Sequence, residues 1–151
     1  MFEKILVCLD GSSLAEQIIP YAIEIALRAN SKVVLLEVTT PPGAVVQPLI
    51  GYYHVTPLEE IQRDSKVSGE YLQRVARRIR RKHVHVECTT IPGDPGRTIV
   101  DYANNNDVDL VALSTHGHGG LGRLVFGSVT DYVLKNSDLP ILVRKPKESK
   151  E

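Results

Sequence analysis

Two kinds of hydrophobic segment alternate along this chain. Short continuous apolar runs, such as Ile5–Leu9, are typical of strands that are buried on both faces of a parallel sheet. Longer segments with apolar residues at helical spacing follow them, beginning with 14–29. The pattern predicts strands at 5–9, 32–38, 83–89, 109–114 and 140–143, with a helix in each interval between them.

The strict alternation of strands and helices predicts an α/β fold. It is a three-layer, doubly wound parallel sheet of five strands in the order 3-2-1-4-5, with right-handed crossovers. In this order the winding reverses between strands 1 and 4, and ligands bind outside the carboxyl ends of the strands at that point. Those ends are Asp10 and Ser114–Gly117. We expect one domain over residues 1–145 and a charged tail over 146–151.

Individual residues predict where the helices begin and where one of them is interrupted. Ser12 or Ser13 is placed to cap the first helix, and Pro20 predicts a kink or a solvent-side defect within it. Asp94 is a predicted N-cap, followed by Pro95 at the first helical position. The helix that follows Thr56 or Pro57 carries a predicted apolar stripe of Val67, Tyr71, Leu72, Val75, Ala76 and Ile79.

Two further segments have a distinct character. Residues 83–89 alternate between apolar and polar side chains, which predicts a half-buried strand at a sheet edge. Residues 39–57 are rich in proline and glycine and predict a connection longer than most, either a lid, a partner surface or an unstructured loop.

Composition and charge exclude several classes of protein. Apolar residues make up 42% and charged residues 24%, which is typical of a globular chain. The formal net charge is zero, so no global attraction to nucleic acid or to an anionic membrane is expected. A basic run, Arg74–Lys82, lies on the predicted outward face of a helix, and a solvated face explains it better than a nucleic-acid site.

The cysteines and the ends of the chain point to a reducing compartment. Cys8 and Cys88 form neither a metal-like pair nor a disulfide framework, so we expect both to be reduced core thiols. The first residues lack the pattern of a signal peptide, and no apolar stretch approaches the roughly 20 residues that span a bilayer. We expect a cytoplasmic protein.

The glycine-rich segment 114–128 is the strongest candidate for binding chemistry. Gly117 allows a close approach of backbone to ligand, and Gly127 with Ser128 opens a helix whose free amides favour an anion such as phosphate. A flexible loop with Ser128 as a cap is the alternative. The spacing is not that of a P-loop. His116 and His118 have no evident third partner, so metal ligation by them is disfavoured.

Asp10 and Arg123 are the charged candidates nearby. Asp10 ends the first strand, where its carboxylate would accept from ribose hydroxyls or hold a metal-bound water, or would simply form a turn. Arg123 would neutralise phosphate or lie on the surface. No nucleophile elbow and no serine–histidine or cysteine–histidine pairing points to a hydrolase.

Taken in order, these segments resemble the universal stress protein family over nearly the whole chain. In its nucleotide-binding branch the pattern is G-x2-G-x9-G-S/T; Gly117, Gly127 and Ser128 match it, and Ser114 replaces the first glycine. The segments that carry the resemblance are ILVCLDGS at 5–12, LEV at 36–38, GDP at 93–95, LSTHG at 113–117, GSV at 127–129 and LPILV at 139–143.

The resemblance implies a site for an adenine nucleotide, ATP or else AMP or ADP. Asp10 would lie near the ribose and the backbone of Val38 near adenine, with Mg²⁺ carried by the phosphates and bridged through water to Asp10. Ser114 would crowd the site or add a hydroxyl contact. The implied nucleotide-binding set is Leu9, Asp10, Ser12, Val38, Leu113, Ser114, Gly117, Gly127, Ser128 and Val129.

The resemblance also implies a stress-response role and a homodimer that pairs through Ile141–Val143. We expect a regulatory ATP-binding protein without robust turnover. Two alternatives stay open: a slow ATPase, and a dimeric interaction protein that does not use nucleotide because Ser114 and the segment 39–57 close the pocket.

Overall fold

Five apolar segments form parallel strands in the computed structural model, which describes residues 1–40, 58–115 and 127–147. The sheet has the order β3-β2-β1-β4-β5, and every pairing in it is parallel. The predicted doubly wound topology is therefore confirmed. The strands are β1 (Lys4–Leu9), β2 (Lys32–Thr39), β3 (Val86–Pro92), β4 (Leu110–Ser114) and β5 (Ile141–Arg144).

Helices cover both faces of this sheet and divide the core in two. Leu72, Val75 and their neighbours pack on one face, while Ile99, Val100 and Val133 pack on the other. The first three helices therefore lie on one side and the last two on the opposite side. The helices are α1 (Ser13–Glu16), α2 (Ile19–Ala29), α3 (Leu58–Arg80), α4 (Pro95–Asn105) and α5 (Ser128–Asn136).

The first helical segment breaks where a kink was predicted. Residues 13–29 form two helices, and Pro20 lies in the first turn of α2. Proline lacks the N–H that a helix interior requires, but the first turn has no intrahelical acceptor for that group. The chain therefore restarts its helix at Ile19, with Pro20 in the first turn of α2.

The third strand begins later than the alternation suggested. It covers Val86–Pro92, because His83 adopts a positive φ of 62° and turns the chain before it enters the sheet. Its position at the sheet edge is as predicted. On α3 the predicted apolar stripe is buried at Leu72, Val75, Ala76 and Ile79, whereas Val67 is 62% exposed.

Two aspartates fix the ends of elements. The carboxylate of Asp94 accepts from the amide of Arg97 at 2.9 Å, so it caps α4 as predicted. Asp109 had been assigned to the fourth strand, but it lies just before it. Its Oδ2 accepts from the backbone amides of Glu3 and Lys4 at 2.8 and 2.9 Å, and it thereby anchors the start of β1.

Both cysteines are free thiols, and they lie on opposite faces of the sheet. Cys8 belongs to the core beneath α4 and α5, while Cys88 packs against the other core. The sheet itself separates the two sulfur atoms, so the expectation of unpaired core thiols is confirmed. The basic run Arg74–Lys82 is exposed at each of its six cationic side chains, as its outward position on α3 predicted.

Residues 41–57 of the predicted long connection and the tail beyond 147 lie outside the described residues, and Thr39 belongs to β2. Among the helices that the structure describes, none combines the length and the apolar character needed to cross a bilayer.

The start of α5 is packed directly against the end of β4. The amide of Gly127 donates to the carbonyl of Thr115 at 2.9 Å. A Cβ added at Gly127 would lie 2.6 Å from that same carbonyl oxygen, which is closer than van der Waals contact allows. Glycine is required here because backbone meets backbone, although the φ of −65° is open to any residue.

We predict that Gly127→Ala lowers the free energy of unfolding by about 1–3 kcal/mol, since the added methyl displaces the start of α5. Gly69→Ala is the matched control, because a Cβ at Gly69 meets nothing within 4 Å. In mid-helix this control is expected to stabilise by about 0.5–1 kcal/mol. Urea unfolding measures both, and equal effects of the two changes would contradict the packing described for Gly127.

We predict that Leu72→Ala costs about 2–5 kcal/mol of unfolding free energy, because a fully buried leucine leaves a cavity in the core under α3. Leu27→Ala on α2 is the control with the same chemistry, and this side chain is 53% exposed. Its expected cost is within about 0.5 kcal/mol. A small effect of Leu72→Ala in urea unfolding would show that α3 does not close this core.

Candidate functional site

A cavity of about 790 Å³ opens at the carboxyl edge of the sheet. The ends of β1, β2 and β4 form its floor, and the first turns of α4 and α5 form part of its wall. The volume falls within the range of small-molecule sites, about 300–1,000 Å³. The cavity lies at the ends of β1 and β4, where the direction of winding reverses. This is the place at which the strand order predicted a ligand site.

Asp10 follows β1 and lines the cavity. Its Oδ1 accepts from the amide of Ser12 at 2.9 Å and from the Ser12 hydroxyl at 2.6 Å. The same hydroxyl oxygen accepts from the amide of Ala15 at 3.1 Å and so caps α1. Asp10 is therefore both a turn-forming residue and a cavity residue, whereas Ser12 holds the turn and does not line the cavity.

Ser114 ends β4 and also lines the cavity. Its hydroxyl donates to the carbonyl of Ala15 at 3.2 Å. The backbone carbonyl of Ser114 accepts from the Thr130 hydroxyl at 3.1 Å. The serine that replaces the family's glycine thus joins α1 to β4, and its hydroxyl is directed towards protein backbone.

The first turn of α5 borders the same cavity through Gly127, Ser128 and Val129. Ser128 is the first helical residue and its side chain is exposed, so it does not serve as the N-cap. The first amides of a helix have no intrahelical acceptor, and they carry the positive end of the helix dipole. This wall is suited to an anionic group.

The cavity has an apolar half on the side of α4 and α5. Val38, Ile99, Leu113 and Val129 line it, and each belongs to or packs against the core on that side. The Cys8 thiol lies there as well, and burial raises its pKa to about 12, so it stays protonated at neutral pH. A flat apolar group such as a heterocyclic base fits these surroundings.

The half on the side of α3 is polar, and sequence reasoning missed it. Asp64 and Ser68 line it, together with the exposed Arg63 and Val67. Thr39 at the end of β2 completes it. The sequence signal for it is the polar character of Asp64 and Ser68, which lie two turns and one turn before Leu72 on the same side of the helix.

Three carboxylates on this side of the sheet, those of Glu16, Glu37 and Asp10, lie near Tyr71. The Tyr71 hydroxyl donates to Oε1 of Glu16 at 3.1 Å. Burial raises the pKa of Tyr71 well above its ordinary value, and the nearby charges of Glu16, Glu37 and Asp10 raise it further.

Within the described residues, no group of three or more His, Cys, Asp or Glu side chains is arranged to hold a metal ion.

Eight of the ten residues predicted for nucleotide binding border this one cavity. Ser12 caps α1 instead, and Gly117 lies outside the described residues together with His116, His118 and Arg123. The eight are Leu9, Asp10, Val38, Leu113, Ser114, Gly127, Ser128 and Val129.

Known proteins share both this sequence pattern and this fold. A universal stress protein of Synechocystis sp. is 30% identical over 150 residues, covering 94% of this chain and 97% of the relative. The solved structure of the Methanocaldococcus jannaschii protein MJ0577 has a TM-score of 0.70 at 27% identity, and 99% of each chain is covered.

Two more distant structures of the same fold contain nucleotides. A universal stress protein in complex with cAMP superposes with a TM-score of 0.67 at 20% identity, covering 95% of this chain and 97% of the other. A family protein from Arabidopsis thaliana with AMP bound gives 0.62 at 17%, covering 97% and 93%. At these identities the likeness shows the fold alone.

The family model for universal stress proteins matches residues 1–145. This range contains all five strands, every helix described above and all of the cavity-lining residues. The strand order, the cavity at the winding reversal and the full-length relatives agree, and this chain belongs to the universal stress protein family.

Proposed function

We propose that this protein binds an adenine nucleotide, ATP in the first place, and acts as a regulatory protein of the stress response. The observation that carries the proposal is the convergence of the eight predicted residues on one cavity at the winding reversal. The two nucleotide complexes of family members support the choice of an adenine nucleotide. The free thiols of Cys8 and Cys88 support a reducing compartment such as the cytoplasm.

The two halves of the cavity support an assignment for each part of the nucleotide. Adenine lies against Val38 in the apolar half, and the ribose hydroxyls lie within reach of Asp10. The phosphates lie at the start of α5, where the amides after Gly127 and the helix dipole stabilise negative charge. The phosphates would carry Mg²⁺, and Asp10, which lines the cavity, would hold one of its waters.

We expect Gly127→Val to reduce affinity for ATP at least about tenfold, which corresponds to about 1.4 kcal/mol. The branched side chain collides with the Thr115 carbonyl and moves the amides that bind phosphate. Titration calorimetry with ATP–Mg²⁺, with AMP in parallel, measures the change. Gly69→Val is the control, since the space around Gly69 is open and this residue does not line the cavity.

Unchanged ATP affinity in Gly127→Val would contradict the assignment of phosphates to the start of α5. Absence of heat from either nucleotide with folded wild-type protein would contradict nucleotide binding as a whole. The chain would then be interpreted as an interaction protein whose pocket is closed.

We also propose that the protein forms a homodimer through β5. This strand is last in the sheet order, and Ile141 and Val143 pack on the core beneath α4 and α5. The carbonyls of Pro140 and Arg144 accept from β4, so alternation turns the backbone N–H and C=O of Ile141 and Val143 towards the outer edge. An edge strand with outward N–H and C=O groups pairs readily with the same strand of a second copy related by two-fold symmetry.

We expect Val143→Pro to convert a dimer into a monomer, because proline removes an outward N–H while the bonds to β4 remain. Val143→Thr keeps that N–H and is the control. Light scattering after size-exclusion chromatography distinguishes the 16.7 kDa chain from a particle of twice its mass. A monomeric wild type, or a dimeric Val143→Pro, would contradict pairing through β5.

A further inference from the structure

A smaller depression of about 210 Å³ lies between α2 and α3, and we term it the α2–α3 groove. It shares no lining residue with the cavity at the sheet edge. Its volume is below the range of small-molecule sites, about 300–1,000 Å³, so it suits a side chain of a larger partner. Apolar residues of both helices line it, namely Ile19, Pro20, Ile23, Val75 and Ile79.

α2 exposes further apolar surface beside this groove. Pro20 is exposed, and Leu27, which lies one turn beyond Ile23 on the same side of the helix, is 53% exposed. Pro20 and Leu27 are about 10 Å apart along the helix axis, at 1.5 Å per residue. An apolar strip of two turns matches the spacing of the side chains with which an amphipathic helix anchors itself in a groove.

Positive charge borders the groove on the side of α3. Arg78 and Lys82 line it, and Arg74 and Arg81 are the i−4 and i+3 neighbours of Arg78 on the helix surface. Within the described residues, Glu16 supplies the only carboxylate that pairs with these four cations, and it lies 2.5 Å from Arg78. Because the whole chain has no net charge, this is a local excess of positive charge.

This cluster works against the stability of α3. Like charges three and four residues apart on a helix repel each other. The helix dipole favours cations in the last turn, which explains Arg78 but not Arg74 one turn earlier. The cations are exposed and belong to neither core cluster. A charge pattern that costs stability at exposed positions indicates a function, here an anionic partner.

We propose that the α2–α3 groove binds an acidic amphipathic segment of a partner protein. The apolar side chains of this segment lie in the groove and along the exposed strip of α2. Its carboxylates pair with Arg74, Arg81 and Lys82, and arginine bonds carboxylates in a bidentate manner. A nucleic acid would satisfy the cations and leave the apolar floor without a partner, whereas an acidic amphipathic segment satisfies both.

The test is fluorescence anisotropy of the full chain with a labelled synthetic helical peptide, which carries leucine at i, i+4 and i+7 and glutamate elsewhere. A peptide with serine in place of each leucine and an oligothymidylate of equal charge are the comparison ligands. Wild type is expected to bind the leucine peptide at least about tenfold more tightly than the serine peptide, because the burial of one leucine corresponds to such a factor. It is also expected to prefer the leucine peptide to the oligonucleotide.

Pro20→Glu is expected to weaken binding of the leucine peptide at least about tenfold. It places a carboxylate in the groove, in the first turn of α2, where the helix dipole favours an acidic residue. A double variant, Arg81→Gln with Lys82→Gln, is expected to weaken binding about fivefold and to reduce its dependence on salt.

The matched control is Arg97→Gln with Lys135→Gln, which removes the same charge from α4 and α5 on the opposite face. It is expected to bind the leucine peptide as wild type does, and urea midpoints report the folding of each variant. Lack of binding by wild type, or equal losses in the two double variants, overturns the proposal. Tighter binding of the oligonucleotide overturns it in favour of nucleic acid. A wild-type dimer that Pro20→Glu dissociates overturns it in favour of a second copy of this chain.

Discussion

The central position of β1 is the constraint on which the rest of this structure depends. Its backbone pairs with β2 on one side and with β4 on the other, and its side chains from Ile5 to Leu9 are buried by helices on both faces. Right-handed crossovers send the chain in opposite directions from this strand, so α1, α2 and α3 cover one face and α4 and α5 the other. The cavity lies at the carboxyl ends of β1 and β4, where the two directions of winding separate.

The hydrogen bonds at this gap join the cavity to the surrounding packing. Asp10 bonds Ser12, Ser12 caps α1, and the carbonyl of Ala15 in that helix accepts from Ser114 on β4. The amide of Thr115 donates to the carbonyl of Arg144, and the carbonyl of Thr115 accepts from the amide of Gly127. The residues that face the cavity are therefore held by the same contacts that fix α1, α5 and β5, which explains why a single added methyl at Gly127 is expected to affect both stability and binding.

The cavity is chemically divided because its floor is the edge of a sheet. Consecutive residues of a strand point to opposite faces, so Val38 belongs to the apolar half and Thr39 to the polar half on the side of α3. Burial raises the pKa of Tyr71, and the carboxylates on the side of α3 raise it further. The edge thus presents an apolar surface, polar side chains and a helix N-terminus within one cavity.

Local patterns in the sequence determined the elements, their order and most of the candidate site. The run at 5–9, the Asp94-Pro95 helix start and the Gly127-Ser128 junction each depend on neighbours within a few residues, and all were predictable. The tertiary structure alone decided that the first helical segment divides into two separate helices, that β3 begins only after His83, and that Val67 is exposed. It also brought Asp64 and Ser68 of α3 to the cavity that Thr39 of β2 lines. Their position there depends on how α3 crosses the sheet, and such long-range packing has no local signature in the order of the residues.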